Sequence, residues 1–205
     1  MRAQILQRFN DNAARVRSLL TLYEGLRPRR QGRRPLHAVD ILRGATVLLH
    51  AALEEVLRAT AAWRFPGLGE VVLNEVPLVG VGDSGRPEKF LLGRLAHHRA
   101  KTVQQLIDES VAAHLNYFNV NNATEIASFM RKVGVDVAPF QRYFAGLDAM
   151  IARRHHIVHQ ADRNDQPGAG QQRARSLSSE QVRLWTTNTE QFVRAFLAQV
   201  PDELL

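Results

Sequence analysis

Cysteine is absent from this chain. That excludes disulfide cross-links, a thiolate nucleophile and a zinc ion held by sulfur. Long apolar runs are missing as well: nothing approaches the roughly 18–20 consecutive apolar residues that a membrane-crossing helix needs. No secretory pattern opens the chain, since Met1 leads straight into a charged, helical segment. These absences give the expectation of a cytoplasmic protein without a membrane partner. Internal repeats are absent. Lysine is scarce, with 3 residues against 24 arginines.

What remains is a chain of 205 residues with 45% hydrophobic content, enough for one real core. The formal charge is +7 and the pI about 10.7. A basic balance of this size favours polyanions such as RNA, DNA or anionic lipid. The same arginine- and alanine-rich composition is also what a GC-rich genome produces, so charge alone does not choose a partner.

Helical periodicity dominates. Over residues 3–24, Ile5, Leu6, Phe9, Ala13, Val16, Leu19, Leu20 and Tyr23 share one stripe, which Gly25 and Pro28 end. A basic linker with Arg27, Arg29, Arg30, Arg33 and Arg34 follows; Arg29, Arg30, Arg33 and Arg34 are candidate RNA-phosphate contacts or a solvated linker. Residues 36–63 read as a long helix whose main charges are Glu54, Glu55 and Arg58. A Gly/Pro-rich insertion spans 65–88, where Val71-Val72-Leu73 and Val76-Pro77-Leu78-Val79 either pair as short strands or pack as an ordered loop.

Helix resumes near Lys89 and runs, with a kink, to about Asn116. Asn122 and Glu125 resemble a capping box for a short helix ending near Val133. A helix over 138–163 and a last one from Ser176, Ser178 or Ser179 to about Gln199 complete the chain, with Trp185 and Phe192 in the core. The expected fold class is all-α: a bundle of five to six helices, two of them long. The expected organisation is an N-terminal helix and basic linker over 1–35 and a helical domain over 36–205, forming one compact unit.

The densest chemistry lies in Arg153-Arg154-His155-His156-Ile157-Val158-His159. On a helix of 100° per residue, Phe140, Phe144, Leu147, Ile151 and Val158 form a core-facing stripe. Asp148, His155, His159 and Asp162 align along one edge of it as a column of carboxylate, imidazole, imidazole, carboxylate. Arg154 falls near the opposite edge. Three readings follow. The cluster is a solvated helix face with a structural histidine. Alternatively, His155 and His159, at i and i+4, hold a divalent ion with Asp148 or Asp162. In the third, Arg154 neutralises a phosphate while His159 transfers protons, a set that cleaves RNA through its own 2′-hydroxyl without metal or cofactor.

Arg154-x4-His159 resembles the R-x(4–6)-H motif of HEPN domains. The run Leu147-Asp148-x-Met150-x-x-Arg153-Arg154-His155-x-Ile157-Val158-His159-x-Ala161-Asp162 is similar to the RiboL-PSP branch of that superfamily, as are Leu73 through Gly80 and Asn116 through Asp136. The resemblance covers roughly residues 40–200. It implies a helical bundle that pairs as a homodimer through its motif helices, and a metal-independent endoribonuclease site formed across the pair. Arg154 and His159 take the two motif positions as catalytic residues, and His155 the polar position after the arginine. The helix column makes His155, Asp148 and Asp162 candidate supporting residues, and Arg153 is a candidate RNA contact. Such proteins are commonly toxins or prokaryotic defence factors, so the resemblance also implies a cognate antitoxin or regulatory protein. Other members are non-catalytic RNA-binding or protein-interaction modules. One subgroup carries a tyrosine two residues after the motif histidine; Ala161 stands there in this chain.

Overall fold

The computed structural model describes residues 1–26, 36–79, 92–162 and 175–202. Its α-helices are α1 (Arg2–Gly25), α2 (Leu36–Arg64), α3 (Glu70–Leu73), α4 (Val103–Leu115), α5 (Ala123–Lys132), α6 (Gln141–Gln160) and α7 (Ser179–Gln199). Short 3-10 segments occupy Phe65–Gly67, Leu92–His98 and Ala138–Phe140. Among the described residues there is no strand, and the fold is all-α. Four helices are long, of 24, 29, 20 and 21 residues (α1, α2, α6 and α7), where the sequence pattern had suggested two.

These four form the bundle. α1 and α6 each pack against both α2 and α7, which also touch one another. α2 is the central element: Leu42, Ala45, Leu49, Leu53, Val56, Leu57 and Ala61 are fully buried. Its buried Thr46 and Thr60 hydroxyls donate to the carbonyls of Leu42 and Val56 one turn back, which removes the cost of burying them. The α1 stripe (Ile5, Phe9, Ala13, Val16, Leu20, Tyr23) belongs to the same hydrophobic cluster, so the N-terminal helix shares the core of the rest. Leu6 and Leu19 flank it, partly buried.

The floor of the bundle is aromatic. Phe140 meets Phe192 edge-on at 5.8 Å, Phe192 stacks on Phe196 at 5.9 Å, and Phe196 reaches Phe129 on α5 at 6.1 Å. Such pairs add about 0.5–1.5 kcal/mol each beyond area burial. They fix where α6 begins, and so where its far end falls.

Three expectations are corrected. Residues 71–79 form no strand pair: Glu70–Leu73 is a single helical turn and Val71 is exposed. A lone β-branched run without a partner strand has nothing to pair with. The segment before Asn116 is not one kinked helix from Lys89 either. The 3-10 turn Leu92–His98 is followed by a fresh start at Thr102, whose hydroxyl accepts from Gln105 N while Gln105 Oε1 accepts from Thr102 N. Finally, the motif helix ends at Gln160 rather than running to 163. Ala161 and Asp162 both take positive φ, 48° and 55°, and turn the chain back.

Candidate functional site

The buried stripe of α6 consists of Tyr143, Leu147, Met150 and Ile151. It stops there: Val158, expected in the core, is 49% exposed. The last two turns of α6, which carry the motif, therefore run beyond the hydrophobic core. Ile157 is half-buried, and His155 and His159 are exposed.

The expected column of four polar groups splits. His155 and His159 do stay together, with ring centroids 4.5 Å apart. Asp148 leaves the column: its Oδ1 accepts a hydrogen bond from Ala123 N at 2.6 Å, satisfying a first-turn donor of α5. The cap is completed by Asn122, whose side chain accepts from Glu125 N at 2.9 Å. Asp162 leaves it too, because the helix ends before it. Its side chain is fully buried, and Oδ2 accepts from Arg43 Nε at 2.7 Å and from Arg153 Nη2 at 2.8 Å. Arg153 Nη2 also donates to the carbonyls of Arg175 and Ser176, at 2.9 and 3.1 Å. Arg153, expected at the RNA, is thus a clamp between the end of α6 and the approach to α7. Burial on its own lowers the hold of Arg43 on its proton; hydrogen bonds to Asp162 and Asp40 outweigh that and leave it raised.

Arg154 is half-buried on the side of α6 that faces α2, close enough to His50 for its charge to act there. Among the described residues Arg154, His155 and His159 make no hydrogen bond or ion pair, whereas His156 Nδ1 is held by Gln160 Oε1 at 2.6 Å. No group of three metal-ligating side chains converges among the described residues. The candidate contacts Arg29, Arg30, Arg33 and Arg34 lie outside the described residues.

His50 was not singled out by the sequence reading. It is buried, its Nε2 lies 3.1 Å from the carbonyl of Val120, and its Nδ1 lies 3.5 Å from Glu54 Oε2. Glu54 Oε1 in turn accepts from Val120 N at 3.2 Å, so one helix turn of α2 grips both polar atoms of Val120. The available signal was the i, i+4 pairing of a histidine and a glutamate in an otherwise apolar stretch. Burial pushes the His50 pKa below its ordinary value; Glu54 pulls it up and Arg154 pushes it down again. The unfolded chain therefore takes up a proton at this histidine before the folded protein does. The stabilisation is present above the unfolded value of 6.5 and is lost as pH falls from there toward the depressed folded value. Urea unfolding at pH 7.5 and 5.5 should show the wild type losing more stability over that step than His50→Gln; equal losses would contradict the assignment.

Comparison with known proteins brings no family to this geometry. No protein-family model, curated protein or solved structure matches the chain. What the site can do rests on its own residues and on the resemblance of its motif. The side chains fall into two groups: Asp148, Arg153 and Asp162 hold α6 in place, while Arg154, His155 and His159 make no hydrogen bond or ion pair among the described residues.

Proposed function

We propose that this protein is a metal-independent endoribonuclease of HEPN type, acting as a homodimer. One observation carries the reading. At the end of a helix that outruns its core, one arginine and two histidines make no hydrogen bond or ion pair among the described residues, while Asp148 and Asp162 are tied into the scaffold.

Arg154 and His159 are five positions apart and so diverge by roughly 140° around the helix. A single protomer cannot aim both at one phosphate. A second motif helix packed antiparallel across a twofold axis brings two of each to one cleft, and the exposed Val158 with half-buried Ile157 supplies an apolar seam for that contact. In the cleft, one His159 takes the proton of the ribose 2′-OH as its oxygen attacks phosphorus. Arg154 neutralises the added charge on the phosphorane. The twofold-related His159 donates a proton to the departing 5′-oxygen. The products are a 2′,3′-cyclic phosphate and a 5′-hydroxyl. His155, in ring contact with His159, orients it.

The test is cleavage of single-stranded RNA in EDTA. Wild type should cleave, and Arg154→Ala and His159→Ala should not, with both variants retaining the helical circular dichroism of the parent. Cleavage that survives either substitution defeats the proposal, and a wild type that binds RNA but never cuts it is instead a non-catalytic HEPN module.

A further inference from the structure

The motif helix has a second chemically furnished side. Where α6 passes the approach to α7 there is a cleft of about 550 Å3, within the roughly 300–1,000 Å3 common for small-molecule sites. The small side chains of Ala149 and Ala152, one turn apart on α6, open it, and Trp185 of α7 borders it. Trp185 is only 7% exposed, so the indole is anchored in the core and gives the cleft a small apolar patch.

The polar wall is one-signed. Arg153, Arg175 and His156 line it, and among the described lining residues there is no carboxylate. Arg153, His156 and the Arg175 backbone in that wall are also held. Arg153 is pinned by Asp162 and two carbonyls, and the Arg175 backbone is pinned from both sides, its N–H donating to Asp162 O at 2.8 Å and its carbonyl accepting from Arg153. Gln160 holds one ring nitrogen of His156, so the imidazole is oriented in advance. Preorganised donors lose little freedom when a ligand arrives. A fixed aromatic patch beside small apolar residues, rimmed by cations, fits a ligand that is flat and apolar at one end and anionic at the other.

We propose that this cleft binds a nucleoside phosphate, the base against Trp185 and Ala152 and the phosphate toward Arg175 and His156. The ligand is either one residue of an RNA chain or a free nucleotide. The RNA form rests on the nuclease reading and makes the cleft a subsite beside the motif face of the same helix. An apolar contact of this kind reads no hydrogen-bonding edge of the base, so it tolerates any base.

The experiment uses Trp63→Phe protein, in which Trp185 is the only remaining indole, carrying Arg154→Ala and His159→Ala so that RNA stays intact. Indole fluorescence is followed on titration with each of the four nucleoside 5′-monophosphates and with a short single-stranded RNA. Saturable quenching is expected. Ala152→Tyr, a substitution at an exposed position that fills the cleft, and Arg175→Ala should each weaken binding at least about tenfold. The absence of saturable quenching by every ligand, or unchanged affinity in Ala152→Tyr, overturns the proposal. Displacement of mononucleotide by RNA assigns the cleft to substrate; mononucleotide binding that RNA leaves undisturbed assigns it to a free nucleotide. Because no step of the binding assay needs cleavage, failure of the nuclease reading leaves this result standing.

Discussion

Asp162→Ala is expected to lower the free energy of unfolding by about 3–5 kcal/mol, read as a shift of the urea midpoint at unchanged slope. The reason is the company the carboxylate keeps. Asp162 is fully buried and accepts from two guanidinium groups whose side chains are 12% and 15% exposed. Removing it leaves two poorly solvated cations facing each other, with no anion in reach of both. Backbone consequences add to this. Ala161 and Asp162 sit in the left-handed region, which costs each L-residue roughly 1–2 kcal/mol, and the carboxylate helps hold the chain there, together with the Ala161 and Asp162 N–H groups that donate to His156 O. Asp162→Asn should be damaging as well, because an amide keeps the shape but not the charge. The contrast is Asp40→Ala: Asp40 also pairs with Arg43, but it is 66% exposed, and loss of such a pair changes stability by about 1 kcal/mol or less. If Asp162→Ala behaves like Asp40→Ala, the clamp is not the element that ends α6.

That clamp also marks where sequence reasoning stops. The spans of α1, α2 and α7 are legible because a 3.6-residue apolar period persists through each, and because Gly25, Ser178 and Pro201 punctuate their ends. The end of α6 has no such mark. The residues that end it and follow it, Gln160, Ala161 and Asp162, include neither glycine nor proline, and Asp162 is paired with Arg43, which is 119 positions earlier in the chain. A helical wheel continued past Gln160 sets Asp162 beside His159; the tertiary pair takes it to the opposite task. Asp148 is the same lesson at the other end of the helix. Its spacing from His155 fits a column, yet its oxygen serves the first turn of α5, a partner that no periodicity within α6 can reveal. Arg154 and His159 survive as candidates because their divergence on one helix is a property of spacing alone.

If His159 from each of two protomers serves one cleft, activity should fall faster than the share of intact chains. Mixing equal amounts of wild type and His159→Ala, with subunits allowed to exchange, gives about one quarter wild-type dimers, one half mixed and one quarter variant. A mixed dimer retains the arginines and one imidazole but lacks either the base or the acid. General acid or base catalysis contributes about 10²–10⁴-fold, so mixed dimers should be nearly silent. The mixture should therefore retain about a quarter of the wild-type rate at equal total protein, whereas protomers acting alone would retain about half. The two values separate easily in an RNA cleavage assay. An Arg154→Ala mixture tests the other half of the arrangement. If both guanidiniums contact the phosphorane it should lose activity as His159→Ala does; a rate near three quarters would assign the charge neutralisation to a single arginine, because the mixed dimer still carries one. A result near one half in both mixtures would return each site to a single chain. It would also contradict the geometric argument that 140° of separation on one helix cannot converge on one phosphate.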